Sequence, residues 1–131
     1  MDRKITQIIE PLKSNFNKLP IIKNYNNKSF LIDGQEYKHH ITIDKNTVKP
    51  FFIQSKNIIE DIIFYLESLE RKPEIFLLGL GKAPENPEFE IRSAVSYRGI
   101  QPEIMSTESA CRTWNILLSE NRNVVACLLL N

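Results

Sequence analysis

The sequence predicts an α/β fold: a mainly parallel central sheet with helices on its faces, preceded by a β-hairpin unit. Three observations lead there. Residues 106–130 read as a capped helix that runs, after a polar break, into an uninterrupted apolar strand. From residue 75 onward the order is strand, helix, strand, helix, strand, and right-handed crossovers of that kind lay parallel strands side by side. Ahead of them, Asp33-Gly34 separates two runs rich in β-branched and aromatic residues, the signature of a tight hairpin turn.

Taken in order, Ile5, Ile8, Ile9 and Leu12 share a helical face, but Pro11 limits that helix to a turn or two. Residues 1–24 are therefore expected to be an N-terminal extension, short helix or disordered, and residues 24–27 a polar break before a single α/β domain over 25–131. Residues 29–32 and 35–43 form the hairpin. Phe30 and Ile32 share one face, while Tyr37, His39, Ile41 and Ile43 alternate with Lys38, His40, Thr42 and Asp44. Residues 48–53 make a third short strand, and Pro50 assigns it to a sheet edge.

Ser55 or Asn57 then caps a helix reaching about residue 70, whose stripe of Ile58, Ile59, Ile62, Ile63, Leu66 and Leu69 is the clearest helical signal in the chain. Residues 74–78 are a buried strand leading into Gly79-Leu80-Gly81-Lys82. A helix over about 88–98 is closed by Gly99, and Ile104-Met105 belong to a short strand. In the last helix, capped by Ser106 or Thr107, Ala110, Trp114, Leu117 and Leu118 face inward.

The chain has 131 residues, 42% hydrophobic and 25% charged, which is one globular domain's worth. No apolar run approaches the ~18 residues that cross a bilayer. The formal charge is +1, but residues 1–56 hold ten Lys or Arg against five acids (+5) and the remainder seven against eleven (−4). That basic half suits a membrane surface or an acidic partner and is too scattered for nucleic acid. Cys111 and Cys127 occupy positions of small buried hydrophobes, and no Cys or His spacing suggests a metal or a disulfide. With no signal-peptide pattern, a cytoplasmic location is expected.

Chemistry is sparse. Gly79 and Gly81 follow a strand as in a dinucleotide loop, yet position 84, where the third glycine would fall, is Pro84. No cofactor is expected. His39 and His40 point to opposite faces and cannot share one ion. No nucleophile, base and acid set has supporting spacing, so no catalytic residue is assigned. The polar groups that remain are Gly79, Gly81 and Lys82 after one strand, with Ser106, Thr107, Arg112 and Asn115 on the last helix. Together they would line a pocket or interaction crevice at the strand carboxyl ends, suited to an anion. Alternatively, Arg112 and Asn115 hold loop carbonyls, and Glu120 with Arg122 ties the helix to the last strand.

Several blocks carry a family resemblance. They are Phe30-Leu31-Ile32-Asp33-Gly34 with Tyr37; Leu77-Leu78-Gly79-Leu80-Gly81; Gly99-Ile100 with residues 103–107; and Ala110, Arg112-Thr113-Trp114-Asn115, Leu117, Glu120, Arg122, Val124 and Ala126. Over about 25–130 the chain resembles the domain-of-unknown-function family 498, which includes the adipogenesis-associated domain protein and a mitochondrial assembly factor of respiratory complex I. The resemblance implies a three-layer domain with a mixed central sheet, and it implies no reaction. The function expected is therefore a non-catalytic protein-interaction or assembly factor, with respiratory complex I or its assembly intermediates as partner and peripheral contact at the inner face of a membrane. The alternative is a small-molecule or anion-binding protein, or a cryptic enzyme, using the strand-end crevice.

Overall fold

The computed structural model describes residues 19–81 and 87–131. The helix expected near the N-terminus, and Lys82 in the glycine loop, lie outside the described residues. Two sheets share one core. The first is a three-stranded antiparallel meander of β1 (Ile22–Asn26), β2 (Ser29–Ile32) and β3 (Gln35–Tyr37). Asp33 and Gly34 join β2 to β3 with φ of 50° and 77°, and Ile32 pairs with Gln35, so the two-residue turn is as expected.

The second sheet has five strands. In space they run β5 (Val48–Pro50), β4 (Ile41–Ile43), β8 (Val124–Leu128), β6 (Ile75–Gly79) and β7 (Gln101–Met105). Only β4 opposes the direction of the other four, because it is antiparallel to both β5 and β8, while β8, β6 and β7 pair in parallel. The sheet is mixed and mainly parallel, with proline-bearing β5 at one edge.

Among the described residues three helices complete the layers: α1 (Ile58–Glu67), α2 (Glu88–Tyr97) and α3 (Thr107–Ser119). Asn57 caps α1 by accepting from the Ile59 N–H, Gly99 follows α2 with φ of 77°, and Ser106 caps α3 by accepting from the Ser109 N–H. Because side chains alternate along a strand, β6 feeds both cores. Ile75 and Leu77 join Phe30, Ile32, Ile41, Trp114 and Leu118 between the sheet, α3 and the meander. Phe76 and Leu78 join Ile62, Leu66, Ile91 and Val95 beneath α1 and α2. All five residues of β8 are buried, as its lack of alternation requires.

Two expectations change. Residues 35–43 are not one strand: the ladder breaks at 38–40, and the chain passes from the meander to the central sheet. The alternation does not carry through the break: Tyr37, Ile41 and Ile43 are buried in one core that both sheets share, whereas His39, expected on their face, is exposed and His40 is half-buried. Nor are residues 24–27 simply a polar break. The boundary placed between 24 and 25 falls inside β1, an edge strand that needs little apolar surface: Ile22 is buried, Tyr25 stacks on Phe30 at 5.3 Å, and Lys23, Asn24 and Asn26 face solvent.

Candidate functional site

The carboxyl ends of β6, β7 and β8 gather the residues singled out from the sequence. Thr107, 1% exposed, stands at their centre. Its hydroxyl donates to the Leu129 carbonyl at 2.6 Å and accepts from the Gly81 N–H at 2.7 Å, joining the first turn of α3 to the exits of β8 and β6. Tyr25 from β1 comes near the same threonine, and burial raises its phenol pKa. Gly79 lets the helix come this close: a Cβ there would lie 2.9 Å from the Thr107 Cα. Gly81, at φ 68°, turns the chain beside the Leu130 carbonyl and Asn131. Ser106 caps α3 and exchanges a hydroxyl contact with Ser109.

Farther along α3 the residues part. Asn115 donates to the Ile22 carbonyl at 3.0 Å and accepts from the Ile22 N–H at 2.9 Å, a two-point clamp that fixes the meander on the helix. Beside it the buried Trp114 indole donates to the Pro20 carbonyl at 3.0 Å. Arg112 is exposed, 3.5 Å from Glu108 one turn back and within 3.3 Å of the Ser109 hydroxyl. An exposed pair of this spacing adds little. Arg112→Ala is therefore expected to move the urea midpoint by no more than about 0.5 kcal/mol of stability. Arg122 is expected to tie to Glu120, at 3.8 Å; the closer partner is Glu74, bound through two nitrogens at 2.7 and 3.2 Å, which holds that carboxyl below its usual range.

Both thiols are shielded. Burial pushes Cys111 up to about 12 and raises Cys127 further, so neither is a nucleophile near neutrality. Among the described residues, no three His, Cys, Asp or Glu side chains converge as metal ligands would.

A concavity among the described residues lies next to this junction, and the sequence did not single it out. It is a groove of about 560 Å³ lined by four segments: Asn27 and Lys28 in the β1–β2 turn, Lys38 to His40 between the sheets, Phe51 to Ile53 after β5, and Leu130 with Asn131 after β8. The two histidines lie in the break between the sheets, where the strand alternation does not hold, and both line the groove. His39 is exposed, whereas half-buried His40 accepts the Leu130 N–H on Nδ1 at 2.9 Å. Burial, then His39, lowers the His40 pKa below 6.5.

Because the folded state disfavours the His40 cation, the unfolded chain binds the proton more readily and stability falls as pH drops through the ordinary histidine value. The urea midpoint is expected to decline between about pH 7 and pH 5, and His40→Gln to flatten that slope. A slope unchanged in His40→Gln would remove His40 as its source. The depressed Glu74 carboxyl also loses stability on acidification, but in the lower window of carboxylate protonation.

With this geometry described, the relatives can be set beside it. A family model described as "Protein of unknown function (DUF498/DUF598)" matches residues 22–129. The chain is 30% identical over 113 residues to the 13 kDa major membrane protein of Francisella tularensis subsp. holarctica, covering 82% of this chain and 88% of that one. It is also 30% identical over 122 residues to the rat (Rattus norvegicus) protein named NADH dehydrogenase (ubiquinone) 1 alpha subcomplex assembly factor 3, covering 92% of this chain and 66% of the relative. Thus it spans slightly less than two thirds of that protein's length. Among solved structures, an outer membrane protein from Bartonella henselae superposes with a TM-score of 0.68 at 29% identity, over 88% of this chain and 98% of that one. A Bordetella pertussis protein described as a Mth938-like domain superposes with a TM-score of 0.65 at 20% identity, over 98% of this chain and 92% of that one, a likeness of fold.

Proposed function

The chain belongs to the DUF498/DUF598 family of proteins of unknown function, and from that premise we propose that it is a non-catalytic protein-interaction or assembly factor. The observation that carries this reading is the 30% identity, over 92% of the chain, to a protein named as an assembly factor. The site geometry supports it. Thr107, Gly79, Gly81 and Asn115 are engaged in holding helix, strands and meander together, while the open groove presents basic and apolar side chains. The alternative, a ligand or cryptic enzyme site at the strand carboxyl ends, has less support, because Thr107 and Asn115 are engaged by backbone groups and Arg112 faces solvent.

At the finer level the reading names respiratory complex I, or its assembly intermediates, as the partner, with peripheral contact at the inner face of a membrane. No helix among the described residues is long and apolar enough to cross one. Deleting the gene in the source cell and resolving membrane complexes on native gels tests this. Accumulated partial complexes, restored by the intact gene, are the expected result. Normal complex I levels in the deletion would remove the complex I assignment.

A further inference from the structure

The groove beside the last strand combines three properties. Phe51 is 7% exposed at its base, while Phe52 and Ile53 are 64% and 45% exposed. Lys28 and Lys38 contribute its charge, and among the described residues no Asp or Glu side chain lines it. Glu36 lies 4.0 Å from Lys38, with both side chains more than half exposed, a contact that solvent screens. Two lysines beside apolar surface select an occupant that brings negative charge and apolar side chains together.

We propose that this groove is the docking site for an acidic segment of a partner protein, one with Asp or Glu side chains flanking an aliphatic or aromatic residue. The inference rests on the assembly-factor reading and supplies the chemistry of its partner. Lys28 and Lys38 meet the carboxylates, and Phe52 and Ile53 cover the apolar side chain against Leu130. The groove's walls come from the β1–β2 turn and from the segment after β5, so an occupant meets side chains of both. A lipid bilayer, being flat, would reach the rim and leave Phe51 and Leu130 untouched.

Lys28, Lys38 and Phe52 lie on the surface, so substitutions there leave the cores intact. The full chain is titrated into a fluorescein-labelled peptide of about twelve residues alternating Glu with Phe or Leu, and into the same peptide with Lys for Glu. The acidic peptide is expected to bind, to weaken severalfold between about 50 and 300 mM salt, and to weaken roughly tenfold in a Lys28→Glu/Lys38→Glu variant. Phe52→Ser is expected to weaken it severalfold at any salt concentration.

Equal binding of both peptides, or binding indifferent to the double charge reversal, would overturn the proposal. So would sedimentation with phosphatidylglycerol vesicles that the double variant abolishes, in the absence of peptide binding: that outcome assigns the patch to a membrane. Peptide failure alongside an assembly defect in the deletion strain would remove the groove and leave the assembly role. Intact peptide binding with normal complex I would do the reverse.

Discussion

Replacing Trp114 with alanine is expected to cost about 3–5 kcal/mol, the range for emptying a large aromatic site, out of a total stability on the order of 5–15 kcal/mol. Trp114 is fully buried between α3, the central sheet and the meander. Its loss opens a void where three elements meet and leaves the Pro20 carbonyl without its indole donor. Trp114→Phe separates the two effects, since it fills most of the volume and removes only the donor, at roughly 1 kcal/mol. Trp114 is the sole tryptophan, so urea unfolding of these variants is followed by circular dichroism. A Trp114→Ala midpoint within experimental error of the parent would contradict this packing.

Gly79→Ala is expected to be the second severe change, at about 2–3 kcal/mol, because the added carbon meets backbone rather than a yielding side-chain tip. It would sit 2.9 Å from both Cα and Oγ1 of Thr107 and 3.1 Å from the Ala110 Cβ. Relief requires α3 to move off β6, and that movement pulls the Thr107 hydroxyl from Leu129 and Gly81. Gly34→Ala is the control. Nothing lies within 4 Å of its Cβ, and only the strain of φ 77° remains, at about 1 kcal/mol. Thermal melts that rank Gly34→Ala as the more damaging would mean that α3 and β6 do not touch here.

Elements that bury a periodic face were legible in the sequence. The stripe from Ile58 to Leu69, the face of Ala110, Trp114 and Leu118, and the unbroken run after Val124 each lie where their spacing put them. What escaped was decided between elements. Strand β1 buries little and is held through Asn115, 93 positions away, so its own residues read as a polar break. The switch of sheet at 38–40 falls where the residue types alone continue the alternation, although His39 on that face is exposed in the structure. Asn115 drew attention as a polar residue on the flank of a helix, but its occupation by Ile22 depends on that unseen strand.

The groove was illegible for the same reason: its lining comes from four stretches spread between residues 27 and 131. One signal was available. The basic surplus of the first 56 residues includes Lys28 and Lys38, and Phe51-Phe52-Ile53 is an apolar run too long for an edge strand that buries alternate residues.

The position of β8 has a further consequence during synthesis. It lies between β4 and β6 and is translated after every other strand. Until it emerges from the ribosome, the nascent protein carries two apolar strands whose neighbouring hydrogen-bonding edges are both vacant. Closing the central sheet therefore waits until β8 has left the ribosome, and until then both edges are open to mispairing.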